Sequence, residues 1–259
     1  MERKDVPILE FDPTREALIE PANLLSPRDG FRGCAIAYFK DSVEALASAG
    51  RLTEVAHLTS VTVRIPIYET EVDGTRIHLV TGQLGAPAAA GQLEELVALG
   101  FTTFVVCGAA GVLRKDLAVG HLVVPTSAVR DEGTSYHYLP PSREVDCDPG
   151  MVQATLAFLE RRGIPARAVK TWTTDAFYRE TPDRVAARRD EGCATVEMEA
   201  AALFAVARFR GVALVQILYG GDDLSGATWD DRRWYSRTDV RRNLVDLSLE
   251  LCAERIAGA

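Results

Sequence analysis

Val196-Glu197-Met198-Glu199-Ala200-Ala201-Ala202 is the stretch on which the fold turns. Two glutamates flank one methionine, and a run of small helix formers follows. In an extended chain residues two apart share a face, so Glu197 and Glu199 would point one way and Met198 the other. Two carboxylates aimed together beside an apolar patch can accept hydrogen bonds from a vicinal diol. The same letters suit the first turn of a helix, where glutamates favour the macrodipole. Spacing alone prefers that plainer role.

Working outward, the spacing predicts a helix over 198–210 and a buried strand over 212–219. A closing amphipathic helix is expected over 240–256, with Leu244, Leu247, Leu251 and Ile256 inward. Upstream, strands are expected over 34–39, 102–107, 120–129 and 166–174. The run at 102–107 is continuously apolar, as in a sheet covered on both faces. A hairpin over 61–72 and 76–81 is closed by Asp73-Gly74, a type I′ pair. Helices are expected over 41–49, with Asp41 or Ser42 as N-cap, over 86–99 before Gly100, and over 148–162 before Gly163. Residues 1–33 carry Pro7, Pro13, Pro21 and Pro27 and read as an irregular N-terminal arm, with the domain proper over 34–259. The alternation argues for one α/β unit, an α/β/α sandwich with a mixed central sheet.

Composition narrows the function. Of 259 residues, 47% are hydrophobic and 25% charged, enough for one large core. The net charge of -8 would repel a phosphate backbone, so no nucleic-acid partner is expected. The five cysteines, Cys34, Cys107, Cys147, Cys193 and Cys252, are widely spaced and form no CxxC pair. That argues for a reduced, cytoplasmic setting without a disulfide framework. His57, His78, His121 and His137 are scattered, and no metal or organic cofactor is expected. Neither a secretory leader nor a membrane partner is expected, because no apolar run has the length for one.

Three glycine-bearing junctions follow expected strands: Gly82-Gln83-Leu84-Gly85, Gly108-Ala109-Ala110-Gly111 and Gly220-Gly221-Asp222-Asp223. Ligands of α/β folds collect at the carboxyl ends of strands, and glycine lets backbone amides come close. Each junction by itself also suits a tight turn. Asp222 and Asp223 at a strand end can act as acid or base if burial raises a pKa, or can simply cap a turn.

The word Val196-Glu-Met-Glu-Ala-Ala-Ala-Leu-Phe-Ala-Val-Ala207 resembles the hexameric nucleoside phosphorylase family, which includes purine nucleoside phosphorylase, uridine phosphorylase and related nucleosidases. Gly85-Ala86-Pro87, Gly108-Ala-Ala-Gly-Val-Leu113, Val119-Gly-His-Leu-Val-Val-Pro125 and Asp175-Ala-Phe-Tyr178 resemble further family segments in the same order. The resemblance runs from about Cys34 to the C-terminus. It implies a phosphorylase-like fold and cleavage of a nucleoside's N-glycosidic bond, by phosphorolysis to free base and ribose 1-phosphate.

Carried over by position, Glu199 would bind the ribose 2′- and 3′-hydroxyls, Met198 would pack under the sugar, and Glu197 would support the grip. Phe177 would stack on the base, Gly108 would line the substrate site, and Arg179 would read a base edge. Asp222 would protonate N7 of a purine, with Asp223 as its competitor. The resemblance also implies inorganic phosphate as co-substrate and a homo-oligomer whose sites borrow residues across an interface.

The family's phosphate site is the part that does not match. Its Gly-Asp-Pro-x-Arg falls near Phe39-Lys40-Asp41-Ser42-Val43, its strand arginine on Val106 and its loop hydroxyl on Ala109. Lys40 and Arg64 are the replacement cations to consider, with Arg179 and Arg32 behind them. Two alternatives follow. One is a nucleoside hydrolase using water, with Asp41 near the place of a family carboxylate. The other is a noncatalytic nucleoside-binding protein.

Overall fold

The structure is a computed structural model that describes residues 3–258. The elements run, in chain order, β1 (Gly33–Ala37), α1 (Lys40–Ser48), β2 (Thr53–Thr59), β3 (Arg64–Val72), β4 (Thr75–Thr81), α2 (Ala86–Ala98), β5 (Thr103–Val112), β6 (Leu122–Asp131), β7 (Glu144–Asp146), α3 (Pro149–Arg161), β8 (Ala166–Thr174), α4 (Pro182–Asp190), β9 (Cys193–Glu197), α5 (Ala200–Arg210), β10 (Ala213–Asp223) and α6 (Thr238–Ala257). The fold is the expected α/β sandwich: a ten-stranded mixed sheet with helices on both faces. No helix of the described residues is long and apolar enough to cross a membrane.

Strand pairing adds a feature that alternation does not reveal. β5 pairs with β10, β10 with β6, β6 with β8, β8 with β9, and β9 returns to β5. Five strands therefore close on themselves, and β1, β4, β3 and β2 extend from the other edge of β5. The closure brings the end of β9, where the signature begins, beside the end of β5: Gly111 lies opposite Val196.

Local chemistry explains most boundaries. Asp73 and Gly74 both have positive φ, as a type I′ hairpin turn requires. The Asp148 carboxylate accepts from the amides of Gly150 and Met151, at 2.8 and 3.1 Å, and so caps α3. All of Ala200–Ala207 is buried, so α5 is an interior helix with no polar face. It packs against α2 and under the strand ring.

Several expectations need correction. Neither Asp41 nor Ser42 caps α1: the helix starts at Lys40, and no side chain caps it. Asp41 instead sits in the first turn and pairs with Arg241 of α6 at 3.2 Å. Gly108–Gly111 and Gly220–Gly221 are inside strands rather than junctions after them. Close approach is the reason. A Cβ on Gly111 would come within 2.7 Å of Leu224 and 2.9 Å of Val196, and one on Gly220 within 3.0 Å of Val112. In α6, Leu247 is only partly buried, while Val245, Ser248, Leu249 and Cys252 join Leu244, Leu251 and Ile256 in facing the core. β2, β7, β9 and α4 carry too little hydrophobic periodicity to be anticipated. Only Val185 of α4, for instance, is buried.

Candidate functional site

The signature leaves the sheet at Glu197, the last residue of β9, and enters α5 at Ala200. The Glu197 carboxylate is fully engaged. Its Oε2 accepts the amides of Glu199 and Ala200, at 2.7 and 2.6 Å, and its Oε1 accepts the Thr173 hydroxyl at 2.6 Å. It thus satisfies two of the open N–H groups at a helix start. The expectation that Glu197 and Glu199 jointly face a diol is corrected here. Glu197 holds the turn, and Thr173 locks it further by accepting the Ala201 amide at 3.0 Å.

Glu199 is the carboxylate left for other work. It stands as the N-cap residue of α5, outside helical geometry and buried. Its Oε1 accepts the Gly85 amide at 2.6 Å, at the start of α2. Gly85 has a φ of 89°, a conformation that glycine adopts without strain. Burial raises the pKa of both glutamates, and the charge of Glu197 raises that of Glu199 further. Met198, between them, is partly exposed.

The two aspartates at the end of β10 separate cleanly. Burial raises the pKa of Asp222, opposed by the Trp229 indole N–H, which donates to its Oδ2 at 2.7 Å. Asp223 is held below its ordinary value: against a burial penalty, it accepts from Ser225 and is ion-paired with Arg232. Its backbone also bridges to Asp230. Asp223 is thus spent on Arg232 and its own turn, whereas Asp222 has only the Trp229 indole as a side-chain partner.

The short turn Phe177–Arg179 follows β8. Phe177 is 46% exposed, its ring 4.0 Å from that of Tyr178. Arg179 is exposed. Glu180 follows, partly buried, and burial together with the charge of Asp222 pushes its pKa up to about 7. Sequence reasoning missed both neighbours of Asp222: Trp229, seven residues further along the chain, and Glu180, brought near from the segment after β8.

Tyr38, just past β1, packs in a row with Gly82 just past β4, Gly108 within β5 and Leu218 within β10. Tyr38 follows β1, and its ring lies over Gly82, where a Cβ would come within 2.8 Å of it. Leu218 and Tyr38 cover Gly108, which is buried under side chains rather than open to a ligand. The Tyr38 hydroxyl is buried without a hydrogen-bond partner, and Glu199 and Glu197 add their charges to the burial that raises its pKa.

The expected phosphate cations are not gathered here. Lys40 is exposed and pairs with Glu44, and Arg64 is tied to Glu54 and His57 at the far side of the sheet. Phe39, Val43 and Val106 are buried apolar side chains. Asp41 is held by Arg241, whose guanidinium also lies over the rings of Phe39 and Trp234.

A cavity of about 600 Å³ lies at the opposite end of β10, around Cys147, Phe204, Arg208 and Leu214. Asp148 there is committed to capping α3.

Comparison with known proteins places this arrangement. Residues 35–254 match the model of the Phosphorylase superfamily. The chain is 34% identical over 146 residues to a guanosine phosphorylase of Halorubrum lacusprofundi, covering 56% of this chain and 61% of that one. It is 31% identical over 105 residues to a uridine phosphorylase of Thermococcus kodakarensis, covering 40% and 38%. The chain therefore spans less than two thirds of the length of these relatives. In structure it is similar to the purine nucleoside phosphorylase of Toxoplasma gondii in complex with immucillin-H, with a TM-score of 0.75, 20% identity and coverage of 92% and 94%. The match over 35–254 takes in β9, α5 and the end of β10 together, and the chain belongs to the Phosphorylase superfamily.

Proposed function

We propose that this protein cleaves the N-glycosidic bond of a nucleoside, with Asp222 as the general acid and Glu199 as the grip on the ribose diol. The carrying observation is the contrast within one dipeptide. Asp223 is neutralised by Arg232, whereas Asp222 is partly buried, raised in pKa by that burial and reached by one indole N–H. A carboxyl group whose pKa is raised by burial holds its proton more readily, which suits delivery to the departing base.

Glu199 keeps one oxygen on Gly85 and offers the other to a sugar hydroxyl. Partly exposed Met198 packs under the ribose. Glu197 takes the supporting role, because its oxygens are spent on the turn. Phe177 supplies an exposed aromatic face for the base, and Arg179 stands beside it for a base edge. Protonation by Asp222 favours a purine, whose N7 can accept while C1′–N9 breaks. Membership in the superfamily makes phosphate the first acceptor to test, with ribose 1-phosphate as product.

The test is a panel of purine and pyrimidine ribonucleosides, scored for free base. Base released by the wild type and lost in Asp222→Asn is the expected result. No release from any nucleoside, with binding retained, would turn the protein into a nucleoside-binding module.

A further inference from the structure

The loop after β10 returns to its own start. Asp223 and Asp230 exchange two backbone hydrogen bonds, at 2.7 and 3.1 Å. The Asp223 carboxylate holds the same point from both sides, accepting the Ser225 amide at 2.7 Å and pairing with Arg232. The Leu224 amide donates to the Val112 carbonyl at 2.8 Å, which ties the loop to β5. Trp229 stands directly before this clasp. Its ring is 65% exposed, so its place is set by the pinned backbone rather than by packing.

The one polar group of that ring is spent on Asp222. The indole N–H reaches Oδ2 at 2.7 Å. An indole nitrogen donates and never accepts, so Oδ2 must present a lone pair to it. The other oxygen, Oδ1, receives no side-chain donor among the described residues. It stands 3.6 Å from the place that a Cβ on Gly111 would take, and that place is 2.9 Å from Val196, the start of the signature, and 2.7 Å from Leu224. Glycine keeps this space open. The charges acting on Asp222 are Arg232 and Asp223, which neutralise each other, and Glu180 from the segment after β8. Gly111, Val196 and Leu224 bring none from the β5 and β9 side.

We infer that Trp229 is the positioning residue of the acid: its indole N–H keeps Oδ2 free of the proton, so that the transferable proton sits on Oδ1, and steadies the carboxylate left when that proton goes to the base. The inference rests on the assignment of Asp222 to glycosidic cleavage. Trp229 itself gives up no proton. A donor aimed at a carboxyl oxygen binds the ionised form more strongly than the neutral one, so the indole favours the transfer as well as the geometry.

The experiment compares wild type, Trp229→Phe and Asp222→Asn in initial rates of base release across pH, from a purine ribonucleoside with inorganic phosphate present. A general acid works while protonated, so the rate falls as pH rises through its pKa. Phenylalanine keeps a ring and cannot donate. Trp229→Phe should lower kcat by about tenfold and move the alkaline limb up by about one pH unit, with KM little changed. The direction separates the two roles open to Trp229. A loop that merely loosened would admit water, relieve the burial of Asp222 and move the limb down. The shift should persist in a Glu180→Gln background. A second readout needs no turnover: the indole N–H resonance of Trp229, identified by its loss in Trp229→Phe, should titrate at the midpoint of the limb and stop titrating in Asp222→Asn. A limb that stays in place or moves down, a shift lost without Glu180, or an indole resonance indifferent to pH overturns the inference and leaves the cleavage assignment standing. Undiminished cleavage by Asp222→Asn, or none by the wild type, sinks that assignment and the inference with it.

Discussion

Two regions beside β5 are built from opposite materials. At the ends of β9 and β10 the chain gives carboxylates graded partners: three donors on Glu197, a backbone amide on Glu199, an indole on Asp222 and a guanidinium on Asp223. Past β1 and β4 it buries an aromatic ring on glycine and leaves the one polar atom without a partner. The lesson is that neighbouring stretches of one sheet can be held by different means, graded hydrogen bonds to carboxylates in one and a ring packed closely on glycine in the other.

The sharpest break of that comparison is within the aspartate pair. Asp222→Ala should lower kcat by about 10²–10⁴, the usual worth of a general acid, with little change in the melting temperature. Asp223→Ala should do the reverse: it leaves Arg232 partly buried without its carboxylate and costs on the order of 1–3 kcal/mol of stability, read by denaturant unfolding. Equal turnover in wild type and Asp222→Ala would remove the catalytic assignment.

Next in size is Glu199→Gln. The amide oxygen can still accept from Gly85, so the fold should survive, while the charged grip on the diol is lost. KM for a ribonucleoside should rise by about tenfold or more, and less for its 2′-deoxy analogue. A uniform effect on both sugars would mean that Glu199 does not touch the 2′-hydroxyl.

The smallest effect probes the apolar edge. Gly82→Ala puts a methyl within 2.8 Å of the Tyr38 ring, and forcing that ring aside should cost about 1–3 kcal/mol in chemical denaturation. In a Tyr38→Ala background the same substitution should cost much less, because the clash has gone. Additive losses would show that Tyr38 and Gly82 do not share the space.

What was legible in the sequence follows the range of the interactions. The hairpin turn at Asp73-Gly74 is written in neighbouring residues and appears where expected, while the helices expected from Asp148 and Met198 start at Pro149, capped by Asp148, and at Ala200. Val196–Ala202 likewise carries its family in its own letters. The division of labour between Glu197 and Glu199 is not local. It depends on Thr173 of β8 and on Gly85 of α2, which only the strand ring brings near. Glu180 comes near Asp222 in the same nonlocal way, whereas Trp229 lies only seven residues further along the chain. Tyr38 lies in a stretch where the expected phosphate residues are missing, yet nothing in its own letters says that its ring would fill the gap. Gly108 and Gly220 looked like turns because a glycine gives the same signal in a turn as in a tightly packed strand.

The hydrogen bond from Gly85 to Glu199 joins residues 114 apart in the chain. That span has a consequence for biosynthesis. A ribosome that has delivered the first strands and α2 has made a chain whose Gly85 amide still lacks this partner, because the carboxylate has not yet been translated. The contact forms only when the last third of the chain arrives and threads β9 between β8 and β5. On the proposed role of Glu199, nascent or truncated chains should therefore be blind to a nucleoside, which can reward only the finished molecule. Ligand-dependent protection during translation would serve as a timer for completion of the strand ring.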